Sequence, residues 1–119
     1  MKSVLITGAS TGIGKSCAKI LSENNYKVFG TVRNEEDANT LKQEFGKSFT
    51  PIIMDVRNKE SIYSAKKIIE NKIDKLDVLI NNAGIALGGP IKYIDTDMFR
   101  EQFEVNLFGL ISVTKAFLK

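Results

Sequence analysis

Four short, nearly continuous apolar runs, at residues 4–7, 27–32, 50–54 and 77–81, are separated by segments whose apolar side chains recur at helical spacing. That alternation narrows the fold more than any other feature. Strands that do not alternate polar with apolar residues are covered on both faces, which is the pattern of a parallel sheet flanked by crossover helices. Ile13, Cys17, Ile20 and Leu21 share one helical stripe, and Ile62, Ala65, Ile69 and Ile73 another, with charged residues opposite. Asn34, followed by Glu35, Glu36 and Asp37, reads as a capped helix start whose acids complement the helix dipole, and Asn58 can cap the next helix. Right-handed crossovers then leave few ways of joining the strands. No linker, repeat or low-complexity tract interrupts the 119 residues, so residues 1–119 form one α/β unit. From Thr96 onward a single long helix is predicted, carrying Phe99, Phe103, Leu107, Phe108, Leu110, Ile111, Phe117 and Leu118. Its apolar side is too wide for one sheet contact, which leaves two readings: a deeply buried helix, or one that also packs against a second subunit.

Composition removes whole classes of chemistry. Histidine is absent, which excludes His-based general bases, Ser-His-Asp and Cys-His nucleophiles, and most zinc and haem sites. Cys17 is the only cysteine, so the chain can form no internal disulfide and no cysteine-cluster metal site; a reducing, cytoplasmic setting is expected. The run at residues 107–111 falls far short of the roughly 18 apolar residues of a membrane span. Seventeen basic and 14 acidic residues give a net charge of +3. They are dispersed rather than clustered, which favours a solvated surface over nucleic-acid binding. One stretch departs from this evenness. Between Gly8 and Ser22 there are two lysines, Lys15 and Lys19, and no acid.

That stretch contains the glycine-rich turn Thr7-Gly8-Ala9-Ser10-Thr11-Gly12-Ile13-Gly14, directly after the first strand and before the first helix. The free N–H groups at a helix start can hold a phosphate if no Cβ keeps the oxygens away. Gly8 can release the chain from the strand, Gly12 permits close approach, and Gly14 lets the helix lie against the sheet. A rival reading covers the same residues. Ala9 to Ser16 is one residue short of a P-loop, with Lys15 for phosphate, Ser16 for magnesium, and Asp55 at the end of an apolar run as a metal carboxylate. Its first position is Ala instead of Gly, and nothing further along the chain is explained by it.

The fourth run ends in Asn81-Asn82-Ala83-Gly84, and with it the sequence resembles the short-chain dehydrogenase/reductase family. Four motifs occur in order: the T-G-x-x-x-G-x-G loop at Thr7 to Gly14, Asp55-Val56 after the third strand, the N-N-A-G, and Val105-Asn106 in the last helix. The resemblance implies a Rossmann-like parallel sheet with helices on both faces, truncated to about four strands, that is, a dinucleotide-binding domain incomplete relative to the family. It also implies cofactor contacts from Gly8, Ser10, Gly12, Ile13, Asp55, Val56, Asn81 and Gly84. The glycine loop would take the pyrophosphate, Asp55-Val56 the adenine, and the N-N-A-G would steady the sheet beside the ribose. An NAD-selective site needs a carboxylate at the end of the second strand. Here that position is Val32, followed by Arg33, whose guanidinium can engage a 2′-phosphate, so NADP(H) is favoured over NAD(H).

In the family the chemistry falls to a Ser, a Tyr-x-x-x-Lys pair and an Asn. Only the Asn has a counterpart here, Asn106; the others lie downstream of it in the family, past residue 119. Tyr63 and Lys67 have the right spacing but precede the N-N-A-G and fall on a crossover helix, so they are read as a chance pair. The expectation is the cofactor-binding half of an oxidoreductase that interconverts a small carbonyl and an alcohol by hydride transfer, inactive alone. The alternatives are a non-catalytic binding or assembly module and the P-loop hydrolase. With the sheet ending at residues 77–81, self-association is expected through that strand edge or through the Phe103, Phe108 and Ile111 surface.

Overall fold

A computed structural model describes residues 1–118. The four strands are β1 (Ser3–Ile6), β2 (Lys27–Val32), β3 (Phe49–Ile53) and β4 (Val78–Ile80), all parallel, in the order β3-β2-β1-β4. Helices α1 (Gly12–Glu23), α2 (Glu35–Phe45) and α3 (Lys59–Glu70) connect them. After β4 an extended loop leads to α4 (Thr96–Phe103), a π-helical segment (Glu104–Gly109) and α5 (Leu110–Phe117). Two caps form as the sequence suggests. The Asn34 side chain accepts from Asp37 N at 2.8 Å, and Asn58 accepts from Glu60 N and Ser61 N at 2.9 and 3.1 Å.

Strand side chains divide between two cores. Val4, Ile6, Val28 and Val32 pack with Ala18 of α1 and with Ala38 and Leu41 of α2. Leu5, Phe29 and Ile52 pack on the opposite face with Ile62, Ala65 and Ile69 of α3, and with Val105 and Val113. The sheet is therefore Rossmann-like, with helices on both faces. Coverage is uneven, however. All of β1 is buried, whereas the outermost strand β4 has Val78 exposed and its other two residues half-buried, since it has a hydrogen-bonded neighbour on one side only.

The long terminal helix differs from expectation in two ways. It is interrupted by the π segment, and its bulky apolar residues are not its buried ones. Phe103, Leu107, Phe108, Leu110, Ile111 and Leu118 are exposed, while the stripe facing the sheet is Val105, Gly109 and Val113. Close approach explains the choice. A Cβ on Gly109 would come within 2.7 Å of Val56 Cγ2, so only small residues fit that contact. Of the two readings open from the sequence, deep burial is therefore not what is found.

Candidate functional site

The carboxyl ends of β1, β2 and β4 are locked together around the glycine loop. Buried Thr7 closes β1, and its hydroxyl accepts from Asn82 N at 3.0 Å and Ala83 N at 2.9 Å. Thr31 near the end of β2 does the same for the loop: its hydroxyl accepts from Gly8 N at 3.0 Å and its carbonyl from Ala9 N at 2.8 Å. The Asn82 side-chain amide then donates to the Gly8 carbonyl at 3.0 Å. Three strand ends are thus tied by side chains that replace missing backbone partners.

The glycines follow from this geometry. Gly8 sits at φ +70°, and a Cβ there would lie 2.9 Å from Ala83 Cα. A Cβ on Gly14 would run into the Gly8 carbonyl and the Asn82 amide. Gly12, at φ +61°, has nothing within 4 Å, so its requirement is conformational and its surroundings are open. Thr11 caps α1 with extended backbone and no side-chain hydrogen bond, and the first turn holds no acid. The N–H groups there are consequently available to an anion.

This helix start opens on a cleft of about 350 Å³ lined by the loop, the ends of β2 and β3 and the segment after β4. Of the residues singled out in the sequence, Gly8, Ser10, Ile13, Arg33, Asp55, Val56 and Gly84 line it, and Gly12 lies in the loop between lining residues Thr11 and Ile13. Ile13 is 75% exposed, an apolar side chain left at the lip of the cleft. Two residues are placed elsewhere. The Asn81 amide donates to Thr114 Oγ1 at 3.0 Å, on the α5 side, while its neighbour Asn82 lines the cleft. Asn106 sits behind the wall, its Oδ1 accepting from Ile85 N at 2.8 Å and its Nδ2 donating to Ile85 O at 2.7 Å. One helical turn earlier, Gln102 Oε1 accepts from Leu87 N at 2.8 Å. The two amides satisfy alternate backbone groups of an extended segment much as an adjoining strand would.

Sequence reasoning quoted Thr7 and Asn82 within their motifs but gave neither a role in the site, and it missed Thr31, Gln102 and Arg57. Arg57 Nε and Nη2 grip the two Asp55 carboxylate oxygens at 3.1 and 2.9 Å, and Nη1 reaches Glu101 of α4 at 2.8 Å. The guanidinium beside Asp55 holds its carboxyl below the usual carboxylate range, against the opposing pull of partial burial. A signal was present: Asp and Arg two residues apart in a turn can close on each other.

Lys15 and Ser16, which the rival phosphate loop needs for phosphate and magnesium, point away from the cleft. Lys15 Nζ pairs with Glu44 of α2 at 3.2 Å, and Lys15 and Ser16 line a separate hollow between α1 and α2. Tyr63 is largely exposed on α3, lines a groove against α5, and carries the Lys67 ammonium 5.1 Å from its ring centre. No helix among the described residues is long and apolar enough to cross a membrane.

With this geometry in hand, residues 2–119 match the sequence model described as short chain dehydrogenase. The chain is 36% identical over 121 residues to an NADPH-dependent 3-dehydrocapnine reductase of Ornithobacterium rhinotracheale, covering 99% of this chain and 42% of that protein. It is 34% identical over 118 residues to a 3-oxoacyl-acyl-carrier-protein reductase of Vibrio cholerae, covering 99% and 48%. Among solved structures, a variant of actinorhodin polyketide ketoreductase with NADPH superposes with a TM-score of 0.93 at 32% identity, over 99% of this chain and 46% of that one. A 3-ketoacyl-acyl-carrier-protein reductase from Brucella melitensis complexed with NADH gives 0.92 at 27% identity, over 98% and 48%. The chain thus spans a little under half the length of these relatives.

Proposed function

The chain belongs to the short-chain dehydrogenase/reductase family, and from that premise we propose that residues 1–119 supply the dinucleotide-binding half of an NADP(H)-dependent oxidoreductase. The reaction proposed is interconversion of a carbonyl and an alcohol. One observation carries the reading: a helix start with no side-chain cap hydrogen bond and no acids opens, through a loop with two positive-φ glycines, on a cleft that also holds Arg33 and Asp55.

The residues present fit such a cofactor. Gly12 leaves open space where a pyrophosphate would approach the N–H groups of α1, and a Cβ there would begin to fill it. Arg33 takes part in no ion pair or side-chain hydrogen bond among the described residues, which leaves its donors free for a 2′-phosphate. Asp55 and Val56 would serve the adenine and Asn82 and Gly84 the adjoining ribose; all four line the cleft, and exposed Ile13 stands at its lip. When bound, the nicotinamide would supply the hydride. Asn106 acts through Ile85, a cleft-lining residue whose backbone it holds from both sides, and is therefore a positioning residue for the wall.

NADPH titration followed by fluorescence tests the reading. Binding of NADPH is expected, weakened selectively in Arg33→Ala, whereas failure to bind either dinucleotide would refute it. Carbonyl-dependent NADPH oxidation by the 119-residue chain is expected to be absent. A turnover abolished by Tyr63→Phe would make the Tyr63-Lys67 pair catalytic after all. The exposed Phe103, Phe108 and Ile111 support self-association through this surface, which Phe108→Glu should disrupt in sedimentation.

A further inference from the structure

Arg33, Asp55 and Arg57 are the only charged side chains lining the cleft among the described residues, two cations and one anion. They are not equivalent. Arg57 spends Nε, Nη2 and one Nη1 donor on Asp55 and Glu101, whereas Arg33 is in no ion pair or side-chain hydrogen bond among the described residues. Asp55 in turn has both oxygens taken by Arg57, Oδ1 twice, since Arg57 N also donates to it at 2.9 Å.

We propose that Arg57 determines cofactor discrimination: by clamping Asp55 it neutralises the one carboxylate in the cleft and so keeps Arg33 available to a 2′-phosphate. The inference rests on the dinucleotide reading above and adds to it a residue that need not touch the phosphate. If Arg57 is removed, Asp55 becomes a bare carboxylate in the same cleft as Arg33, whose charge it already feels. Arg33 is then the cation left in the cleft, and a 2′-phosphate meets both a competitor for that guanidinium and a like charge. A cofactor without the 2′-phosphate makes no call on Arg33 and meets the bare carboxylate only through its pyrophosphate, at the start of α1.

Dissociation constants for NADPH and NADH, with 2′,5′-ADP as a probe confined to the adenosine half, test this by calorimetry. Arg57→Met is expected to weaken NADPH and 2′,5′-ADP about tenfold and NADH by no more than about twofold, the order expected for one unpaired charge exposed in a partly solvated cleft. The penalty should shrink as salt is raised, because it arises from exposed charge. Asp55→Asn in the Arg57→Met background should restore the NADPH:NADH ratio, Arg57→Lys should preserve most of it, and Glu101→Gln should leave it unchanged. Equal weakening of both dinucleotides in Arg57→Met and Arg57→Lys, insensitive to salt, would show a purely structural role and overturn the inference while leaving the cleft's assignment intact. Should Arg57→Met not fold, the Arg57→Lys and Asp55→Asn/Arg57→Met ratios decide by the same criteria. A wild-type chain that binds neither dinucleotide would refute the assignment itself and the inference with it.

Discussion

Replacing Thr7 with Val changes almost nothing in shape and removes one hydroxyl. That oxygen is 1% exposed with its residue and accepts from two backbone N–H groups, Asn82 at 3.0 Å and Ala83 at 2.9 Å. A donor left without a partner away from water costs about 1–3 kcal/mol. Two such donors set an upper range of about 2–6 kcal/mol, and because both bonds are only partly buried the lower half, about 2–4 kcal/mol, is expected. That is a large share of the roughly 5–15 kcal/mol that holds a domain of this size together. Thr7→Ser keeps the acceptor and loses one methyl, a loss of about 1 kcal/mol. Urea unfolding should therefore rank wild type above Ser above Val, with the midpoint falling and the slope unchanged. Equal stability of Val and Ser, or Val the more stable, would refute the claim that this hydroxyl fastens β4 to β1. Dinucleotide affinity should follow the same order, since Asn82, Ala83 and Gly84 line the cleft.

Gly14→Ala and Gly12→Ala should separate folding from binding. The former places a Cβ against the Gly8 carbonyl and the Asn82 amide and should lower the melting temperature sharply. The latter meets no atom, carries only the strain of φ +61°, about 1 kcal/mol, and should lose dinucleotide affinity disproportionately in a fluorescence titration. Asn106→Ala should speed amide exchange at Ile85 and weaken dinucleotide binding, whereas Asn81→Ala, which releases only Thr114, should leave binding within about twofold. Asp55 has its pKa lowered on folding, so the Asp55-Arg57 pair stabilises the fold above the unfolded carboxylate pKa of about 3.9. As pH falls through the lowered value, that contribution disappears. At this exposure it amounts to about 1 kcal/mol or less, read as a difference between wild type and Arg57→Met that is present at pH 7 and absent in strong acid.

The sheet, its order of elements and the glycine loop were legible because each has a local signature: unbroken apolar runs for strands covered on both faces, helical stripes between them, and, in the loop, glycines where a positive φ or a close contact disfavours a Cβ. What sequence could not resolve turns on direction. Asn81 and Asn82 are adjacent and chemically identical, yet they leave the end of β4 toward opposite sides, one to Thr114 and one to the Gly8 carbonyl. Only the register of a three-residue strand decides which faces the cleft.

The last helix shows the same limit with larger consequences. Its sequence predicts one continuous helix with an apolar side too wide for one sheet contact, but the π segment at Glu104–Gly109 inserts an extra residue per turn and shifts the register between α4 and α5. Nothing in a 3.6-residue pattern announces that shift. Its effect is functional as well as geometric. The distortion holds Asn106 where its amide meets both backbone groups of Ile85, while Val105 and Gly109 pack toward the sheet and the Val56 loop. Two walls of the cleft, the segment after β4 and the loop after β3, are thus braced by one irregular helical turn.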